Sequence, residues 1–209
     1  MQGIRNEDCR AELRMSPAWA AFHKHRNILT NKACSLQKRL AALHKFVVPA
    51  LLYNIGSAHL SRVHLQHLRG AEDAMYRQVY RFRVGDGDSI DEYMADTQRT
   101  MNAYRAKYNI ERWDALAMRK VCEWAGHVAR FAVWSPSRLA LKALEFRDAA
   151  YLRTLDDMHG QQLHGRRFHV WRWERQLTHF MGPDWKSSAL DTERWADLRE
   201  SWVRWRLGI

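Results

Sequence analysis

Asp156-Asp157 is the residue pair in this chain with the most pointed chemistry, because two-metal polymerases clamp their ions with neighbouring carboxylates on a β-hairpin. Leu155 and Met158 flank it within a run of helix formers, and no β-branched stretches stand by to build a hairpin. A solvated helix face is the expectation for the pair. His64 and His67 share a helix face and could hold a metal ion if a third ligand stood near. His59 lies at a poor angle, and no carboxylate falls at matching spacing before Glu72, so no metal site is expected. Asp86, Asp88, Asp91 and Glu92 have the acidity of a calcium loop, yet Asp91 and Thr97 stand where that loop requires Gly and Glu. Cys9, Cys34 and Cys122 are scattered and odd in number, with no C-x-x-C pair, which excludes a disulfide scaffold and a zinc ribbon and suits a reducing compartment. The chain has no Gly-rich phosphate loop, G-x-S-x-G elbow or H-E-x-x-H helix. The expectation is a protein without a catalytic centre, cofactor or metal of its own.

Charge and aromatics carry the remaining signal. Lys and Arg outnumber Asp and Glu by 34 to 23, a net charge of +11, and self-repulsion of that size is relieved by a polyanion. Nucleic-acid backbone is the expected partner, with acidic lipid headgroups or an acidic protein as alternatives. Towards the C-terminus Arg166, Arg167, Arg172 and Arg175 interleave with Phe168, Trp171 and Trp173. Arginine forks grip phosphates bidentately, and aromatic faces stack on unpaired bases. Trp195, Leu198, Trp202 and Trp205, by contrast, recur at helical spacing and are placed to form core, as is Trp173. Trp171 and the arginines stay open between nucleic-acid contact and a solvated surface. The same Trp-rich tail could dock a protein partner.

The elements that must position these residues read as helices. Gly and Pro are scarce, at 10 and 4, and Ala, Leu, Arg, Lys, Glu and Met fill long stretches. Hydrophobic residues at 46% and charged residues at 27% are ordinary globular proportions, so wholesale disorder is not expected. Ser16-Pro17 predicts a helix start with the stripe Trp19, Phe22, Arg26 and Leu29, the arginine snorkelling. A second helix is expected from near Asn31 through Leu36, Leu40, Leu43 and Val47, with Pro49 kinking or restarting it. Leu60, Val63, Leu68, Ala71, Met75 and Val79 predict a third. Residues 84–88 are the clearest loop, after which Ser89 and Glu92 form a capping box for a helix ended by Asn109. Further helices are expected over 111–131, after Ser135-Pro136, and around Trp173 to Phe180. Asp191 or Thr192 should cap the last one. The N-terminus lacks the apolar core of a signal peptide, and the longest apolar run, Phe46 to Tyr53, is too short to span a bilayer. No membrane association is expected, and the location is expected to be intracellular, nuclear or cytoplasmic.

Several blocks together resemble a known family. Pro17-Ala18-Trp19 with Phe22, the run Lys32 to Leu43, and Val48-Pro49-Ala50-Leu51-Leu52-Tyr53 are similar to the start of the helical thumb in non-LTR (LINE-type) retrotransposon reverse transcriptases. Leu65, Leu68 and Glu72 to Arg77 look like the helix that follows, although Asn54 to His59 depart from the family pattern. Trp124-Ala125-Gly126-His127-Val128-Ala129-Arg130 is similar to the family's W-x-G-H-V-x-R block, and Trp171 to Trp185 to its tail. The resemblance implies an all-α fold: a thumb-like multi-helix bundle over 1–84, connector helices over 85–160, and a basic, Trp-rich helical tail over 161–209. It also implies a non-catalytic fragment, without the palm carboxylates of an RNA-directed DNA polymerase, that grips a template–primer backbone without reading sequence. Lys38, Arg39, Arg119, Lys120 and Arg130 are the candidate contacts, with Arg166, Arg167, Arg172 and Arg175. His127 is expected to pack and hydrogen-bond beside Gly126, which admits a close helix approach. A helical scaffold module and an inert retroelement relic are the alternatives.

Overall fold

The computed structural model describes residues 6–58, 60–82, 89–131, 134–143 and 173–209, with backbone alone at 6–14. The fold is all-α, with no strand among the described residues. The first seven helices are α1 (Asn6–Lys24), α2 (Arg26–Leu29), α3 (Leu36–Phe46), α4 (Val48–Leu52), α5 (Arg62–Tyr80), α6 (Ile90–Tyr108) and α7 (Trp113–Arg130). Residues 136–143 are helical, and the chain closes with helices Trp173–Met181, Trp185–Ser188 and Thr192–Leu207. Two compact units form, Met1–Val121 and Cys122–Ile209. The divisions read from sequence, at 84/85 and 160/161, fall outside the described residues.

Local punctuation sets most helix ends. Ser89 Oγ accepts from the Glu92 amide, and Glu92 Oε2 accepts from the Ser89 amide, both at 3.2 Å, so the expected capping box is present. Asn109 ends α6 in the left-handed conformation, φ 49°. Ser135 Oγ accepts from the Arg138 amide, and Asp191 Oδ1 from the amides of Glu193 and Arg194, as N-caps do. Pro49 sits in the first turn of α4 and restarts the chain after α3, where its missing N–H costs nothing.

Three expectations fail for physical reasons. α1 begins at Asn6, so Pro17 lies inside it rather than opening it. The buried Ala18 and Phe22 anchor that helix to the core, and packing of an apolar face outweighs one lost backbone bond. α3 starts at Ser35 instead of Asn31, because the Asn31 side chain accepts from the Ala33 amide and closes a turn of its own. Val63 is 55% exposed, and the buried position on the first turn of α5 is taken by His64. That histidine completes a capping box with Ser61, accepting from the Ser61 amide at 3.2 Å, which is the use the fold makes of half the His64–His67 pair.

In the first unit α1, α3, α4 and α5 pack around Phe22, Leu29, Leu43, Val47, Leu51 and Met75, all fully buried. Among the described residues, Leu36–Ser57 alone is long and apolar enough by composition to cross a bilayer. It is broken at Val47 and at Asn54, φ 55°, and it buries Leu40, Leu43, Val47, Leu51 and Ile55 in this core. In the second unit the tail tryptophans are the core. Trp185, Trp195 and Trp202 are buried, Trp185 stacks at a tilt on Trp195 at 5.9 Å, and Trp173 meets Trp185 edge-on at 6.1 Å. Trp205, the fourth member of the expected stripe, is 42% exposed beside Phe180.

Candidate nucleic-acid interface

The nine cations singled out from sequence have different surroundings. Lys38 is exposed on the first turn of α3. Arg39, next to it, is half-buried and donates to the Val79 carbonyl, so its guanidinium satisfies the C-terminal end of α5. Arg119 pairs with Glu111, and Lys120 is exposed on the same helix. In the second unit Arg130 donates to the Ala189 carbonyl at 2.7 Å, and Arg175 is half-buried on the Trp173–Met181 helix. Arg166, Arg167 and Arg172 lie outside the described residues, as do Asp156-Asp157, Trp171 and Phe168. Arg39, Arg119 and Arg130 therefore spend donors on internal acceptors.

A different set of cations shares one concave surface. Arg26 opens α2, Arg77 lies in the last turn of α5, and Arg81 caps that helix. Together with Thr30, Gln78, Phe82 and Tyr93 they line a groove of about 390 Å³ in the first unit. Among the described residues, no carboxylate belongs to that lining. Arg81 donates to the Thr30 carbonyl at 3.3 Å, and Arg77 approaches the Met94 sulfur at 3.9 Å, a weak acceptor. Among the described residues these are the acceptors that the two guanidiniums meet. Arg81 holds a left-handed backbone, φ 62°, at a position where glycine would be the relaxed choice. The nearby 410 Å³ cavity, between α3 and the turn into α7, is unlike it: Leu40, Ile110 and Leu116 make it apolar, and Glu111 puts a carboxylate in its wall.

Sequence reasoning passed over these three arginines. Arg26 stood in an apolar stripe, and Arg77 and Arg81 were unremarked beside the more conspicuous Arg-rich tail. The available signal is the pair of arginines four positions apart, immediately before a glycine- and aspartate-rich stretch of sequence.

A buried polar cluster fixes the helix that carries two of them. Glu72 is fully buried on α5 and accepts from the Trp113 amide at 3.1 Å, one of the orphan donors at the start of α7. Arg105, from α6, lies 3.1 Å from the Glu72 carboxylate and donates to Asp73 at 3.0 Å, with its guanidinium 5.2 Å from the centre of the Tyr76 ring. Burial pushes the Glu72 carboxyl up to about 7, against the opposing pull of Arg105. Asp114 adds a second tie, buried and paired with Arg69 while it accepts from the Ala115 amide. His44 joins α3 to the same helix: burial lowers its pKa and raises that of Tyr76, and its Nε2 shares a hydrogen bond with the Tyr76 hydroxyl at 2.9 Å. Breaking one member of such a network strands a buried charge, which holds α5 in place.

The W-A-G-H-V-A-R block serves packing in the second unit. Gly126 is the point of closest approach to Trp195, whose Nε1 donates to the Cys122 carbonyl at 3.2 Å. His127 is exposed and packs its ring on Phe131 at 4.3 Å. Among the described residues no group of three His, Cys, Asp or Glu is placed to hold a metal ion. Comparison of the chain with models of known families, with curated proteins and with solved structures finds no match.

Proposed function

We propose that this chain grips the backbone of a nucleic-acid duplex without reading its sequence, as the thumb and connector of a LINE-type reverse transcriptase would. The observation that carries the reading is the groove of Arg26, Arg77 and Arg81, three cations with no carboxylate among the described lining residues, its α5 side held by the Glu72–Arg105 cluster. Contacts of this kind fix a phosphate backbone in position and carry no base readout. The net charge of +11 supplies the long-range attraction. The reading involves no bond-making step: the chain holds the duplex, and the chemistry belongs to palm carboxylates outside this sequence.

The test is binding of the full chain to an RNA–DNA hybrid across a salt series. Each phosphate neutralised contributes a slope of about −0.9 in log affinity against log salt. Arg26→Gln and Arg77→Gln should each reduce that slope by about one and weaken all sequences alike. Affinity that is flat from low to physiological salt contradicts the proposal. Salt-resistant association with a protein partner instead would favour the scaffold alternative.

A further inference from the structure

We infer that the Arg26–Arg77–Arg81 groove is an end-recognition site, built for the phosphate monoester that terminates a nucleic-acid strand; the inference rests on the nucleic-acid reading and gives that site its ligand. Stoichiometry of charge is the first reason. An internal phosphodiester carries one negative charge on two free oxygens, whereas a terminal monoester carries about −1.5 to −2 on three. Three guanidiniums in one groove, with no carboxylate among the described lining residues, match the charge of the second ligand more fully than that of the first.

The donors are also placed for a compact ligand. Arg77 comes from the last turn of α5, Arg81 from its C-cap and Arg26 from the separate helix α2, and Arg81 is tethered by its bond to the Thr30 carbonyl. That tether spends one of the five N–H donors of Arg81 and orients the rest of its fork. The groove, about 390 Å³, has the size of a single small-ligand site. Phe82 and Tyr93 complete its wall, so a terminal base has aromatic surface within the same cavity that holds its phosphate.

The experiment compares RNA–DNA hybrids of one sequence, differing only at the strand end: 5′-phosphate, 3′-phosphate, or hydroxyl at both. With the full chain, one phosphorylated end should bind about tenfold tighter than the hydroxyl ends, as several charge-assisted hydrogen bonds would give. Which end shows the preference tells which terminus is bound. Arg77→Gln and Arg26→Gln should erase the preference. Arg99→Gln, which removes the same charge from α6 outside the groove, should lower affinity for all hybrids equally and leave the preference intact. Equal, salt-sensitive binding of all three hybrids overturns end recognition while leaving the backbone grip standing. Failure of every hybrid to bind removes the nucleic-acid reading itself. A preference that persists in both groove variants places the end site elsewhere and also refutes the inference.

Discussion

Gly126→Ala is the substitution whose outcome follows most directly from the packing of the second unit. A Cβ at Gly126 would stand 2.8 Å from Cε2 and 2.9 Å from Cδ1 of Trp195, and closer still to Nε1. Carbon atoms in ordinary contact keep about 3.5–4.0 Å. The indole is a rigid plane, 3% exposed, and it cannot swing aside as a lysine would. In a free helix the change would gain about 1 kcal/mol, because alanine is the better helix former. Overpacking a closed core costs about 1–3 kcal/mol. If the indole retreats instead, its bond to the Cys122 carbonyl is lost and a buried N–H is left bare, at about 1–3 kcal/mol. Either route costs about 2–3 kcal/mol at the upper half of its range, so after the gain in helix propensity the expected net is a loss of about 1–2 kcal/mol. Urea unfolding followed by far-UV circular dichroism reads it as a lower midpoint. Repeating the change in a Trp195→Leu background isolates the cause. With the indole gone, Gly126→Ala should become neutral or stabilising, a coupling of about 2–3 kcal/mol between the two sites. A Gly126→Ala protein as stable as the parent, or an equal penalty in both backgrounds, would refute the close approach.

Two further predictions use the buried titratable groups. Glu72 titrates near 4.5 when unfolded and about 7 in the fold, so the folded state holds the proton more tightly; the stability this confers is complete below about pH 4.5 and is lost as pH rises through about 7, roughly 3 kcal/mol in all. Subtracting the stability of Glu72→Gln from that of the parent across pH 4–8 should give a difference that falls with pH, and one that rises would show that Arg105 prevails over burial. Burial pushes the Cys122 thiol up to about 12, leaving on the order of one thiolate in ten thousand at pH 8. Peptide mapping after brief alkylation of the native chain should find Cys122 unmodified and Cys34, which is half-buried, labelled ahead of it; rapid native labelling of Cys122 would contradict its enclosure.

The candidate site was far less legible than the fold. Helix ends were readable because their signals are local: a serine three residues before a glutamate, an aspartate before a run of helix formers, a proline after an apolar stretch. Where a signal misled, a competing local bond or a distant packing partner overrode it, as at Asn31 and Pro17. The tail tryptophans at 195 and 202 followed helical period into the core, while Trp205, later on the same stripe, lies at a partly open edge.

Sequence by itself determined the helical class, most of the caps and the sign of the charge, since each depends on residues within a turn or two of one another. It could not determine which arginines bond to distant acceptors within the fold. Arg39 and Val79 are 40 positions apart, Arg105 and Asp73 are 32, and Arg130 and Ala189 are 59. Only the tertiary structure could spend those cations on carbonyls and carboxylates and leave Arg26, Arg77 and Arg81 together in one groove. The physical reason is that an arginine has the same letter and the same charge in either role. Its role is set by the acceptors that folding brings to it.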